Sequence, residues 1–410
     1  MTSIATDDPG GGAGTSDVEI TGLGIISCLG RGPDAFWRGM SSAVSAPVPV
    51  RDPGAHMDVP LMYLVPEVDV PDGPRWQDGL PLGDASRYAI SAARDALAEA
   101  GLSDLAAVDP ARLGVVLGTG MGDSSLHERW HETGADGDRW APVFSPAAAL
   151  GAALGAAGPV TSVSNACAAS GYSISLAADL IRSGEADIVI TGGSEAYSRV
   201  ALGCFNRLGA IDPERCRPFD LYRQGTVFGE GAAILVLESA AHARSREAPA
   251  SYARLTGIGW SCDAHHATAP EPEGVQIARA MRRALDAAGV TGDQLGCVVP
   301  HGTGTQLNDV VEGLALHQVM GSAGQLVPLY SLKGLVGHTG GAAGAMAAVT
   351  AALILRHGAI PPNVTLGEQD PECKVALPAA ETQLEGNCVL VNAYAFGGNN
   401  VSLTLTGPRS

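Results

Sequence analysis

The chain has 410 residues, more than the roughly 250 to 300 at which a single hydrophobic core stops growing, so two core units or one duplicated unit is expected. Hydrophobic residues make up 46% and charged residues 17%, which argues against a disordered chain, and no apolar run approaches the roughly 20 residues of a membrane span. A formal net charge of -18 disfavours nucleic acid and anionic membrane surfaces as partners, because both are polyanions.

Residues 1–17 are mainly Gly, Ser, Thr and Asp, lack the basic and apolar regions of a signal peptide, and are expected to form a disordered tail. Val18-Glu19-Ile20 then leads into Thr21-Gly22-Leu23-Gly24-Ile25, which reads as a strand ending in glycine. The segment 45–83, rich in Pro, Asp and Gly, reads as an irregular insertion. Ala92 to Gly101 has the pattern of an amphipathic helix with a glycine stop, and Leu113 to Gly120 is a short apolar strand running into a glycine-rich turn.

Ser164-Asn165-Ala166-Cys167-Ala168-Ala169-Ser170-Gly171 precedes an apolar-periodic stretch through Ile174, Ala177 and Ile181. Cys167 is therefore expected at a helix N-terminus, where free N–H groups and the helix dipole favour the thiolate. A lone cysteine is more often an inert small hydrophobe. Only the histidine and lysine motifs of the second half make Cys167 a candidate nucleophile. Asp187 to Gly192 reads as a continuous apolar strand, as in sheets covered on both faces.

The second half repeats the first in the same order. Ala253-Arg254-Leu255 leads into Thr256-Gly257-Ile258-Gly259-Trp260, Ala280 to Gly289 is again a helix with a glycine stop, and Leu295 to Gly304 is again a strand running into a turn. Small-residue helices are expected to begin near Cys167 and near His338. The pattern is βαβαβ twice, a duplicated α/β fold with halves 18–252 and 253–410.

Val299-Pro300-His301-Gly302-Thr303-Gly304-Thr305 places an imidazole in a turn of small residues, where a ligand can approach the backbone. Glu312 follows on a predicted helix. Ser331 to Gly344 carries Lys333 and His338 in a stretch otherwise without charge. Lysine occurs only at positions 333 and 374, and an ammonium is costly to bury unpaired. Lys333 is therefore either a solvated surface residue or paired, with Glu312 as the expected partner. Phe396-Gly397-Gly398 forms a turn whose backbone N–H groups can approach a reacting oxygen. Eight cysteines without a CxxC pair suit a reducing cytosol better than disulfides or zinc.

With these motifs in this order, the chain resembles the elongating β-ketoacyl-acyl carrier protein synthases, the ketosynthases of the thiolase superfamily. The resemblance runs from about Val18 to Thr406 and includes Arg217-Pro218-Phe219-Asp220 with Arg223, and Gly229-Glu230-Gly231-Ala232. It implies a thiolase-like fold with α-β-α-β-α layers. It further implies a Cys-His-His triad of Cys167, His301 and His338, supported by Lys333 with Glu312. The oxyanion hole would be the N–H groups of Cys167 and Phe396, with Phe396 also gating the acyl pocket. Thr303 and Thr305 match positions that contact the carrier's pantetheine arm, and Met121 and Phe205 are expected to line the acyl pocket.

The activity so implied is decarboxylative Claisen condensation of an acyl thioester on Cys167 with malonyl-acyl carrier protein, in type II fatty acid or specialised polyketide or polyene biosynthesis in the cytoplasm. No cofactor or metal is implied. The partners would be the carrier protein and a second subunit, giving a homodimer or a heterodimer with a chain-length-factor-like chain. A biosynthetic thiolase would carry a second cysteine where Phe396-Gly397-Gly398 stands, and a non-catalytic chain-length-factor-like subunit would lack Cys167. Acyl transfer to oxygen or nitrogen on the same machinery stays open. Asn165 and Asn399 depart from the threonines common at those family positions. The Ala-rich run Pro146 to Gly155 is expected either to leave a roomy pocket across a dimer interface or simply to pack a helix closely. Arg207 is weighed as a docking contact for the carrier against an ordinary surface arginine.

Overall fold

The computed structural model describes residues 17–134, 141–249, 251–321 and 327–408. The expected tail, residues 1–17, lies outside the described residues except for Asp17.

The main strands of the first half are β1 (Val18–Ser27), β2 (Leu113–Gly118), β3 (Val160–Val163), β4 (Ile188–Glu195) and β5 (Gly231–Ser239). Those of the second are β6 (Ala253–Cys262), β7 (Cys297–Val299), β8 (Cys388–Ala395) and β9 (Asn399–Thr406). The principal helices are α1 (Asp84–Glu99), α2 (Ser145–Leu154), α3 (Ala169–Arg182), α4 (Arg199–Arg207), α5 (Val275–Ala288), α6 (Gln306–Met320) and α7 (Ala343–His357).

The strands run in the order β7-β8-β9-β6-β1-β5-β4-β2-β3. Read outward from the middle, the two halves repeat each other: antiparallel β1/β5 and β5/β4 then parallel β4/β2, against antiparallel β6/β9 and β9/β8 then parallel β8/β7. They join where Val18, Glu19 and Ile20 pair with Leu255, Arg254 and Ala253. The repeat extends to irregularities. β1 bulges between Ile20 and Gly22, and β6 between Leu255 and Gly257.

The glycines of the two matched strands have one physical cause. A Cβ at Gly22 or Gly24 would lie 2.1 or 1.8 Å from the carbonyl oxygens of Ala96 and Ala92 on α1. A Cβ at Gly257 or Gly259 would lie 1.9 Å from those of Ala284 and Ala280 on α5. Each helix thus rests directly on its strand, and only glycine permits that approach. The expected helix stops are also present, at Gly101 (φ +70) and Gly289 (φ +65).

Alternate residues along β5 enter different cores, as the two-residue period of a strand requires. Ala233, Leu235 and Leu237 join a central core with α3 and α7, whereas Ala232, Ile234 and Val236 join an outer core with α1. On β8, Val389, Val391 and Ala393 face the same central core, while Cys388 and Leu390 face a third core with α5 and α6. The layers are therefore α-β-α-β-α, with α3 and α7 sandwiched between the two halves of the sheet.

One expectation needs correcting. The insertion is not wholly irregular: Val48–Pro49 pairs with Leu61–Tyr63, which pairs with Phe228–Gly229. Strands of two and three residues are too short to show a period. The Ala-rich run forms α2, which buries Ala147, Ala149 and Leu150 in the outer core and lines neither of the site cavities of this chain. No helix among the described residues is long and apolar enough to cross a membrane.

Candidate active site

Cys167 lies in the 3-10 turn Ala166–Ala168 that feeds α3, so the expected helix start is one turn further on, at Ala169. Ala166 has φ +56, the left-handed region that a β-carbon makes costly. Behind it Ala168 and Ala169 are fully buried, while Cys167 stays partly exposed and lines two adjoining cavities. One, about 660 Å³, also presents His301, Thr303, Thr305 and His338. The other, about 840 Å³, is apolar and bounded by Met62, Met121, Ala196 and Leu202. Phe205 and Phe396 line both.

The surrounding protein pushes the Cys167 thiol up to about 12; Lys333 opposes this and Glu195 adds to it. Burial thus acts toward the thiol, against the pull toward the thiolate expected at a helix start.

His301 follows β7 in a turn clamped by carboxylates from α6. Glu312 accepts from the N–H groups of His301 and Gly302, both at 2.8 Å, and from Asn392 Nδ2 at 3.3 Å. Burial pushes the Glu312 carboxyl up to about 7, against the pull of those N–H groups and of Lys333. One helical turn earlier, Asp309 accepts from Thr303 N–H at 3.1 Å and Gly304 N–H at 3.2 Å. It also takes the N–H of Phe219 at 2.8 Å, holding that residue at φ +65, and faces Arg223 at 3.5 Å. This gives the Arg-Pro-Phe-Asp segment and Arg223 a role that sequence reasoning left open. The signal was Asp309 one helical turn before Glu312 on a predicted helix.

Lys333 is buried, not a solvated surface residue, and Glu312, its expected partner, acts on it by charge without a hydrogen bond. Its Nζ donates to the His301 carbonyl oxygen and lies 3.5 Å from His301 Nδ1. Glu312 is occupied by backbone donors, so its charge reaches Lys333 only through space, as the main influence opposing the downward pull of burial on the ammonium. Burial, reinforced by Lys333, holds both His301 and His338 well below the usual imidazole range. Both rings are neutral near pH 7. Lys333 beside Nδ1 makes that atom of His301 the acceptor and leaves the proton on Nε2. His338 buries its Nδ1 without a hydrogen-bond partner among the described residues, so its Nε2 is the polar atom left for the cavity that the residue lines.

His301 and His338 meet edge to face, with centroids 5.6 Å apart and planes at 89°. An aromatic series runs from there to the turn between β8 and β9. The rings of His338 and Phe228 are parallel at 5.7 Å, Phe228 meets Phe205 edge-on at 4.7 Å, and Phe205 stacks on Phe396 at 5.3 Å. Thr303 and Thr305 share a hydroxyl hydrogen bond of 2.8 Å at the polar cavity. Arg207 is exposed at the end of α4. Among the described residues no group of three or more His, Cys, Asp or Glu side chains is placed to hold a metal ion.

The chain is similar to known proteins along nearly its whole length. The family models described as "Beta-ketoacyl synthase, N-terminal domain" and "Beta-ketoacyl synthase, C-terminal domain" match residues 15–243 and 252–367. The tetracenomycin polyketide synthase ketoacyl synthase alpha subunit of Streptomyces glaucescens is 34% identical over 424 residues, covering 96% of this chain and 97% of that protein. The 3-oxoacyl-[acyl-carrier-protein] synthase 2 of Rhizobium meliloti (strain 1021) is 34% identical over 415 residues, covering 95% and 98%. Among solved structures, the ishigamide ketosynthase/chain length factor superposes with a TM-score of 0.86 at 36% identity, covering 97% of this chain and 100% of that one. A type II polyketide synthase acyl-carrier protein in complex with its ketosynthase bound to the hexaketide gives a TM-score of 0.85 at 26% identity, covering 96% and 100%.

Proposed function

The chain belongs to the β-ketoacyl synthase family, and we propose that it extends an acyl chain held on Cys167 by decarboxylative Claisen condensation with malonyl-acyl carrier protein. The carrying observation is that Cys167 lies where a cavity with two neutral imidazoles meets an apolar chamber. One cavity suits the reacting thioester. The other suits the chain.

In the first half-reaction the Cys167 sulfur attacks the acyl-carrier carbonyl, the bond to the carrier sulfur breaks, and the thiol proton ends on that departing sulfur, giving the acyl-enzyme and free carrier thiol with both imidazoles neutral. The N–H groups of Cys167 and Phe396 hold the intermediate's oxygen. In the second, malonyl-carrier brings its thioester oxygen to Nε2–H of His301 and of His338. The bond to the carboxylate breaks, carbon dioxide leaves, and the electron pair is held as an enolate by the two donors. The enolate carbon attacks the acyl carbonyl, and the bond to Cys167 sulfur breaks to release β-ketoacyl-carrier and a Cys167 thiolate, which takes one proton from solvent to restore the thiol. Thr303 and Thr305 bind the pantetheine arm, while Met121 and Phe205 contact the acyl chain.

The same reading divides the chain into halves 18–252, which supplies Cys167, and 253–410, which supplies both histidines, Lys333 and the Phe396 turn. The repeated strand order supports it. A second subunit, either a copy of this chain or a chain-length-factor-like partner, is expected beside it. The relatives solved with such a factor favour the latter. Eight free cysteines support a cytoplasmic setting.

Radiolabelled malonyl-carrier tests the activity. Carbon dioxide release together with a two-carbon-longer product supports condensation. Consumption of acyl-carrier without carbon dioxide release would instead make this an acyltransferase to oxygen or nitrogen.

A further inference from the structure

Glu195 ends β4 in the chamber wall and is almost fully buried, yet neither half-reaction uses it. Its carboxylate joins two turns from opposite halves of the repeat. Oε2 accepts from Gly120 N–H and Gly341 N–H, both at 2.7 Å. Oε1 accepts from Met121 N–H at 3.0 Å and lies 3.4 Å from Thr119 Oγ1, which in turn accepts from Gly122 N–H at 2.9 Å.

These turns fit together only around that carboxylate. A Cβ at Gly120 or Gly340 would stand 2.8 Å from Glu195 Oε2, and one at Gly341 would stand 2.3 Å from Gly120 N. Gly340 also has φ +51, which favours glycine. The first turn carries Met121 into the apolar chamber. The second begins two residues after His338 and leads into α7. Glu195, Gly120, Met121 and Gly341 therefore make one connected patch of chamber wall, against which Cys167 also lies.

We infer that Glu195 is a positioning residue for acyl-chain selection: by holding the backbone of Gly120 and Met121 against Gly341, it sets the width of the chamber that receives a long apolar acyl group. This rests on the reading that Cys167 carries the acyl chain. A long chain on Cys167 that enters this chamber runs along the patch. An acetyl group covers much less of it than a long chain does, so loss of the clamp weighs more on the long chain. A carboxamide at this position has one accepting oxygen, so it must turn its NH2 group toward at least one of the three backbone donors. That forces a turn to shift while volume is unchanged.

The experiment follows acyl-Cys167 by intact-protein mass spectrometry, comparing initial rates with dodecanoyl-carrier and acetyl-carrier for the wild type, Glu195→Gln, Met121→Ala and the double variant. Glu195→Gln lowers the dodecanoyl-to-acetyl rate ratio by about tenfold, within what a displaced positioning group costs. In the Met121→Ala background most of that change disappears, because the two residues act on one wall. An unchanged ratio, an equal loss with both chains, or full additivity with Met121→Ala overturns the inference. Should Glu195→Gln not fold, Thr119→Val removes one support of the same turn and is expected to move the ratio in the same direction; no movement rejects the inference. Failure of the wild type to form any acyl-Cys167 rejects the catalytic reading instead.

Discussion

Lys333 stands 3.5 Å from Nδ1 of His301 and donates to that residue's own carbonyl oxygen, so one buried cation orients both the ring and the backbone of its neighbour. Replacing it by methionine keeps most of the volume and removes both interactions. Lys333→Met is expected to lower condensation by about 10- to 100-fold, as loss of an orienting group does. It also removes a nearby positive charge, so the His301 pKa rises from its depressed value toward 6.5. NMR titration of the imidazole reads that directly, and an unmoved titration would show that His301 does not feel the charge.

Glu312 holds two backbone donors, and Glu312→Gln leaves at least one of them facing an amide NH2. A loss of about 1–3 kcal/mol is expected at pH 8, the cost of an unsatisfied buried group, and urea unfolding measures it. The comparison is pH-dependent with a definite sign. The folded carboxyl sits at about 7, above its ordinary 4.5, so the folded state binds more protons in that interval. Wild-type stability relative to Glu312→Gln therefore falls as pH rises from 4.5 to about 7, by up to about 1.4 kcal/mol per pH unit. The histidines share this pH range but are common to both proteins, so their effect cancels in the difference.

Phe396 stacks on Phe205 where the two cavities meet and is itself 36% exposed. Phe396→Ala opens the junction to water. Acyl-Cys167 is expected to hydrolyse faster while condensation slows, shown by mass loss from the trapped acyl-enzyme in the absence of malonyl-carrier. A lifetime equal to that of the wild type would remove the gating role.

Gly24→Ala and Gly259→Ala test the duplication itself. Each introduces a Cβ within about 2 Å of a helix carbonyl, at Ala92 or Ala280. Each is expected to destabilise by about 3 kcal/mol, the upper end for overpacking, with similar shifts in thermal unfolding. Markedly unequal shifts would show that the two helix-strand contacts are not energetically equivalent.

Much of the site was legible because its chemistry is written in short local motifs. Cys167 before a small-residue helix, His301 in a turn of glycines and threonines, and His338 five residues after Lys333 each announce themselves without any partner being known. The repeated glycines were legible for a similar reason: a helix lying on a strand excludes a Cβ, and the same exclusion acts twice. Contacts between distant segments were not legible. Lys333 and Glu312 are a sensible pair by charge, but backbone donors reach Glu312 first and the His301 carbonyl takes the ammonium. Nothing local marks the three-residue strand Leu61–Tyr63 as part of the wall behind His338, or Glu195 as the joint between turns near residues 120 and 341. Residue type and spacing were enough for the reacting groups and the doubled architecture, because both are local properties of the chain. Which buried charge meets which donor was decided only in three dimensions, because that competition is settled by the packing of elements far apart in the chain.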